Sequence, residues 1–264
     1  MSADEQRRLA NQYQAEQQVV TSTLARDILT LLTALFALDD PDGSWGALKL
    51  ALKAMVRDRR SQSARIARPY YQRLRAEAGI SGEAVLVPPR ELVEQRLDAA
   101  LDGAGLYVYR RSLRLGVSPR EALDRSAVTL SGTASRLALE GGRDVIEGTV
   151  LSDDEALGWA RIGDGDSCAW CLMLISRGGV YKSAATAGDT RYGGEKYHDH
   201  DGCQAVPIFD PSSPYEQAAE ELYDLWRQVT AGHSGTAARK VWRRHWDAQR
   251  DPEESEAGQL APSP

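Results

Sequence analysis

The stretch SCAWCLMLISRGGVYKSAATAGDTRYGGEKYHDHDGCQAVPIF, Ser167 to Phe209, decides how the rest of the sequence is interpreted. All three cysteines of the 264-residue chain lie inside it. Two of the four histidines in the chain also lie there, five and three residues before the last cysteine. No other part of the sequence concentrates metal-ligating side chains in this way, so this stretch predicts a small module built around a metal.

Cys168 and Cys171 are separated by two residues, and this spacing lets both sulfurs reach one metal ion. A tetrahedral zinc then needs two more ligands from a separate segment. Three candidates are available for those two places: His198, His200 and Cys203. Cys203 is expected to be the third ligand. The two histidines share a face if Tyr197–Val206 is extended, since side chains alternate along a strand, and only one of them need bind.

Other interpretations of the cysteines are weaker. Three cysteines cannot all pair, so a disulfide framework would leave a free thiol and would require an oxidising compartment. A thioredoxin-like redox pair would need Cys168 at the head of a helix after a buried strand, within a βαβ pattern that the sequence does not show. The cysteines could also be small buried apolar residues, with the histidines hydrogen-bonded in a compact core.

Composition excludes several classes of protein. The net charge of −6 and a pI near 5.4 argue against general nucleic-acid binding. The first eight residues are mixed in charge and are not expected to form a signal peptide. The most apolar run, Leu24 to Leu38, is too short for a membrane span and contains Arg26 and Asp27, so it predicts a packed helix and no membrane anchor.

Apolar residues at helical spacing predict one long helix from about Asp4 to Leu38, ended by the turn residues of Asp39–Gly43. A second helix follows from Trp45, and between Arg57 and Arg75 arginine dominates it. This basic face either contacts DNA or an acidic partner protein, or is simply solvated. Replacing four of its arginines by glutamine is expected to leave the fold unchanged, because exposed charges contribute little stability. The four are Arg59, Arg60, Arg65 and Arg68.

Further helices are predicted from capping and breaking signals. A helix around Leu92–Leu113 is expected to be interrupted at Gly103 and Gly105. Ser118-Pro-Arg-Glu121 has the pattern of a capping box and begins a helix that ends near Gly148. Ser213-Pro-Tyr-Glu216 repeats this pattern, and one more helix spans Thr236–Gln249. Three strands are expected: Leu157–Ile162, Val180–Tyr181 and Gln204–Phe209.

The predicted fold class is therefore mainly α (α+β), with a helical N-terminal half, a small cysteine-containing α/β module and C-terminal helices. Glycine-rich Ala184–Lys196 is interpreted as a surface loop. His245 is expected to pack, and His233 has no evident partner. The predicted regions are 1–148 (helical), 149–211 (cysteine and histidine module), 212–250 (C-terminal helices) and 251–264 (disordered acidic tail).

Several motifs resemble the MuF-type minor head proteins of tailed phages, most of all those of actinobacterial phages. They are Cys168-Ala-Trp-Cys171, Ser176-Arg-Gly-Gly-Val-Tyr181, Tyr197-His-Asp-His200 and Cys203-Gln-Ala-Val-Pro-Ile-Phe209. MuF-type proteins often carry a cysteine directly after the second histidine, whereas here Asp201-Gly202 intervenes before Cys203. The fourth ligand therefore stays open between the two histidines.

The resemblance implies a minor capsid protein that acts in head morphogenesis or genome delivery. It would be made in the host cytoplasm and would lie inside the virion head near the portal. Its expected partners are the portal and other head proteins, with packaged DNA as a further candidate. A closed four-ligand zinc would then be structural, because catalysis requires a water on the metal.

The alternative is an enzyme, either a metal-dependent hydrolase or a phage head maturation protease. His198, Asp199, His200 and Asp201 would offer a base and ligands. The sequence contains no His-Glu-x-x-His, no zinc-deaminase signature and no Gly-x-Ser-x-Gly. No catalytic residues are therefore assigned, and the protein is expected not to be an enzyme.

Overall fold

The computed structural model describes residues 2–163, 167–179, 197–199 and 202–250. Within these residues the fold is mainly helical with one small sheet, as predicted. The elements in chain order are α1 (Ala3–Leu35), α2 (Pro41–Glu77), α3 (Glu94–Ala104), α4 (Leu106–Arg114), α5 (Pro119–Ser152), β1 (Gly158–Ile162), α6 (Ala169–Ile175), β2 (Gln204–Ile208), α7 (Pro214–Val229) and α8 (Gly235–Arg250). No helix among the described residues combines the length and the apolar character needed to span a bilayer.

The helix ends follow the capping signals in the sequence. Ser118 Oγ accepts a hydrogen bond from the Glu121 amide at 3.3 Å, and Ser213 Oγ accepts one from the Tyr215 amide at 3.2 Å. The break predicted near Gly105 separates α3 from α4. The sequence analysis placed the end of α5 near Gly148, but α5 continues to Ser152. The division into four regions stays a prediction.

The long helices α1, α2 and α5 pack together and carry most of the core. One apolar cluster joins them to the sheet, and a second joins them to α3 and α4. The backbones of α2 and α5 approach closely at Gly141, where a Cβ atom would lie 2.1 Å from the Arg60 carbonyl oxygen. Only glycine fits at this position without separating the two helices.

Buried ion pairs connect α2 to α5, and they correct the interpretation of the basic helix. Arg60 is 7% exposed and donates hydrogen bonds to Asp144 Oδ2 at 2.5 Å and to the Leu137 carbonyl at 3.1 Å. Arg75 is also buried and bonds to Asp153 at 3.0 Å. Arginines at these two positions therefore neutralise internal carboxylates. The premise that Arg60 is an exposed charge, on which its replacement without effect on the fold depended, was wrong.

The sheet and the C-terminal helices cover one end of the long helices. Strands β1 and β2 pair antiparallel, with Ala160 opposite Val206, and pack against α5. Helix α6 follows β1, and α7 and α8 pack over α6 through a cluster centred on Trp242. The predicted strand Val180–Tyr181 and the predicted loop Ala184–Lys196 lie outside the described residues. The predicted tail 251–264 lies outside them as well.

Candidate metal centre

Helix α6 places the two cysteines of the Cys-x-x-Cys motif. Cys168 is its N-cap residue and Cys171 lies in its first turn, so both side chains reach the same side of the helix. Cys171 is buried and packs with Ile175, while Cys168 is half-buried. Cys168 stands at the head of a helix that follows β1, as a thioredoxin-like redox pair would require. The two described strands are antiparallel, however, and do not form a βαβ unit.

His198 is positioned through the residue that precedes it. The ring of Tyr197 is buried, with the guanidinium carbons of Arg143 and Arg161 at 3.7 and 4.0 Å from its centroid. Burial and the neighbouring Glu147 carboxylate raise the pKa of Tyr197 well above its usual value. The phenol therefore stays protonated and donates to Glu147 Oε1 at 2.9 Å. These contacts fix the backbone at the start of the histidine segment against α5 and β1.

Asp199 anchors the other side of His198. Its carboxylate accepts hydrogen bonds from Thr133 Oγ1 at 2.7 Å and from Arg136 Nε at 2.8 Å, and both donors belong to α5. Its carbonyl oxygen lies 2.7 Å from His198 Nδ1. A carbonyl only accepts, so Nδ1–H is the donor, and Nε2 is the ring nitrogen that faces the sulfurs of Cys168 and Cys171.

The three ligating atoms converge. His198 Nε2 lies 3.1 Å from Cys168 Sγ and 3.2 Å from Cys171 Sγ, and the two sulfurs are 3.7 Å apart. Tetrahedral zinc with ordinary bond lengths requires about 3.8 Å between sulfurs and about 3.6 Å between sulfur and nitrogen. The sulfur pair fits this geometry, and the imidazole fits after a shift of a few tenths of an ångström. The donor set of two sulfurs and one imidazole is one that zinc prefers.

The surroundings also favour the thiolate that a metal requires. Hydrogen bonds with Cys171 and with His198 lower the pKa of the Cys168 thiol from 9.0 to about 4, against the opposing effect of partial burial. Because metal ligands must be deprotonated, a thiol that is ionised at neutral pH binds metal without first losing a proton.

Cys203 and His200 are the two remaining predicted ligands, and only Cys203 lies among the described residues. Cys203 is buried beside Cys171 and Ile175, and its Sγ lies 3.7 Å from Ser167 Oγ. It is not part of the group in which all ligating atoms lie within 4.8 Å of one another, a group that among the described residues contains Cys168, Cys171 and His198. His200 lies outside the described residues.

Sequence reasoning missed the residues that hold the site in place. Arg143 is buried on α5 and donates from Nε and Nη2 to the Cys203 carbonyl at 3.0 and 2.6 Å. Thr133 and Arg136 lie more than 60 residues before the aspartate that they bind, and no local pattern in the sequence marks them. Away from the site, His245 lies 6.1 Å from Trp242, ring centre to ring centre, and this confirms that it packs.

Comparisons with known proteins agree with part of the motif resemblance. A family model described as VG15 protein matches residues 4–229. The Gene 15 protein of Mycobacterium phage L5 is 26% identical over 258 residues, which cover 84% of this chain and 85% of that protein. The Gene 15 protein of Mycobacterium phage D29 is 32% identical over 146 residues, 44% of this chain and 52% of that protein, so the chain spans about half of this relative. No solved structure shows significant similarity. Both relatives are phage proteins, which confirms the phage part of the resemblance.

Proposed function

The chain belongs to the VG15 protein family, and we propose that it is a MuF-type minor capsid protein with a structural zinc centre. In this proposal it acts in head morphogenesis inside the phage head, near the portal. It would be made in the host cytoplasm, and its partners would be the portal and other head proteins. It would not be an enzyme.

One observation carries the proposal: three of the four motifs that resemble the MuF type meet in one folded module. Cys168-Ala-Trp-Cys171 and Tyr197-His-Asp come from segments about 30 residues apart, yet their ligating atoms lie within 4.8 Å of one another. The strand beginning at Gln204 belongs to the fourth motif and pairs with β1. Because motifs that this chain shares with MuF-type proteins build one site, they support the inference that the two share this module.

A structural role for the zinc is favoured by what the site joins. The cysteines belong to α6, and His198 belongs to a segment anchored on α5. A zinc bound there would fasten α6 to the long helices. Cys203 or His200 would supply the fourth ligand and close the site to water.

Mass spectrometry of purified particles tests the virion role. The chain is expected in both procapsids and mature heads, at a copy number well below that of the major capsid protein. Its absence from both would contradict the proposal.

The alternative, a metal-dependent hydrolase or maturation protease, draws on a different observation. The group of converging atoms in the described residues has three members, the number of protein ligands that catalytic zinc usually has. X-ray absorption spectroscopy of the zinc-loaded protein separates the two roles. Three sulfurs, or two sulfurs with two imidazoles counted by their multiple scattering, support a structural metal. Two sulfurs with one imidazole and one further light atom support the enzyme.

A further inference from the structure

A pocket of about 300 Å³ lies between α6 and the first half of α8, on a part of α6 that the metal centre does not use. Its apolar lining includes Ala169 and Met173 from α6 and the buried ring of Trp242 from α8. Trp242 Nε1 donates to the Ala169 carbonyl at 2.7 Å, and this hydrogen bond joins the two helices at the pocket. The volume is at the lower end of the range for small-ligand pockets, about 300 to 1,000 Å³.

Three cations line the α8 side of this pocket: Arg239, Lys240 and Arg243. They are exposed and share one face of α8, because their spacing is three and four residues. No carboxylate residue lines the pocket, and among the described residues none of the three takes part in an ion pair. The lining of the pocket is therefore positively charged, although the chain as a whole carries −6.

An aromatic surface lies beside the cations. Trp170 lines the pocket from α6 with its side chain 38% exposed, between the two cysteines of the metal centre. An exposed indole next to guanidinium groups is the combination that single-stranded nucleic acids use, because any base can stack on the ring while the cations hold the phosphates.

We propose that this pocket binds a nucleotide unit of a single-stranded nucleic acid, with the base against Trp170 and the phosphates on Arg239, Lys240 and Arg243. The proposal goes beyond the virion role and does not depend on it. A paired base in a duplex has no free face to offer the indole, and a pocket of this size admits about one base. Binding is therefore selective for unpaired strands.

The proposal also places a nucleic-acid contact outside the basic part of α2, two of whose arginines face the interior. Arg60 and Arg75 of α2 are buried and paired with carboxylates. The three pocket cations on α8 have no such partners among the described residues. The positive charge on this face of α8 therefore favours binding of an anionic strand, even though the net charge of the whole chain is negative.

Binding of a single strand at this pocket is tested by fluorescence anisotropy, with a labelled 12-nucleotide oligothymidylate and the full-length zinc-loaded protein. The double variant Lys240→Gln/Arg243→Gln should weaken binding about tenfold or more. The slope of log K against log salt should change from about −2 to about −0.7, since each phosphate contact on a single strand contributes about −0.7. Trp170→Ala should weaken binding at least about fivefold through lost stacking.

Arg244→Gln is the matched control, because Arg244 is an exposed arginine of α8 outside the pocket lining. It removes one positive charge and should change affinity less than about twofold. Thermal melts should show that every variant stays folded.

The proposal is overturned if the double variant binds like the parent protein, or if Arg244→Gln has the same effect as the pocket variants. It is also overturned if a duplex binds as tightly, or if polyglutamate competes as well as the oligonucleotide, which would assign the pocket to an acidic polypeptide.

Discussion

The long-helix core and the module around α6 are stabilised in different ways. Helices α1, α2 and α5 have 33, 37 and 34 residues and bury two large apolar clusters. The module has a seven-residue helix and two five-residue strands. Its strands belong to the cluster that they share with the long helices, and only the clusters around α6 are small. A two-stranded sheet and a two-turn helix are marginal in isolation. The long helices and the sheet therefore depend on shared apolar packing, whereas α6 and the histidine segment depend more on polar contacts and, in our account, on a metal.

The largest effect is expected from breaking the ion pair between α2 and α5. Arg60→Gln should lower the free energy of unfolding by about 3–5 kcal/mol, because it leaves the buried Asp144 carboxylate without one of its charged partners. Arg65→Gln on the exposed face of the same helix is the control, with an expected change within about 0.5 kcal/mol. Urea denaturation measures both. Equal losses of unfolding free energy in the two variants would show that the ion pair of Arg60 with Asp144 does not stabilise the fold.

A smaller loss is expected from forcing α2 and α5 apart. Gly141→Ala places a methyl group against the Arg60 carbonyl and should cost about 1–3 kcal/mol. Gly103→Ala, in α3, meets no atom within 4 Å and should instead stabilise the protein by about 0.4–1 kcal/mol. Thermal unfolding compares the two variants directly. Destabilisation by Gly103→Ala alone would contradict the close approach described here.

In the module, a change at the histidine segment is expected to lower zinc affinity more than it lowers the stability of the fold. Asp199→Asn weakens the hydrogen bonds from Thr133 and Arg136 that orient the histidine segment. Zinc affinity should fall about tenfold, as is usual when residues supporting a metal ligand are changed. Competition against a chromophoric chelator measures this. A large loss of stability in the metal-free protein, with zinc affinity unchanged, would mean that Asp199 serves the fold instead.

A chemical signal, labelling by an alkylating reagent, is expected from the Cys168 thiol. Its pKa in the folded, metal-free protein is lowered from 9.0 to about 4. Between these values the folded chain holds a thiolate and the unfolded chain a thiol, so this contribution to stability is complete above pH 9 and lost as the pH falls through about 4. Iodoacetamide at pH 6 should alkylate Cys168 first, since Cys171 and Cys203 are buried. Zinc should protect it, and equal labelling of all three cysteines would contradict this order.

Local signals in the sequence predicted much of the fold. The cap at Ser118 and the break near Gly105 depend on neighbouring residues, and both are present. Helix α6 was missed because seven residues are too few to show a helical period. The burial of Arg60 was missed for another reason. Periodicity marks which face of a helix is polar, but not which carboxylates of another helix meet it.

The candidate site was predictable only in part. The spacing of Cys168 and Cys171 indicates a metal directly, and the structure brings His198 to both sulfurs. Nothing in the sequence separates His198 from His200, because the residues that place His198 lie on α5 and β1. Tyr197 and its contacts with Arg143 and Arg161 form only once the chain has folded.

Zinc content tests the central claim most directly. The purified protein should contain about one zinc per chain, as expected for a single tetrahedral site, and Cys171→Ser and His198→Gln should contain almost none. His233→Gln, at an exposed histidine outside the site, is the control and should retain the metal. Chelation should disturb the tryptophan fluorescence of the module while most of the helical circular dichroism remains. A protein that is folded, free of zinc and indifferent to added zinc would contradict the account.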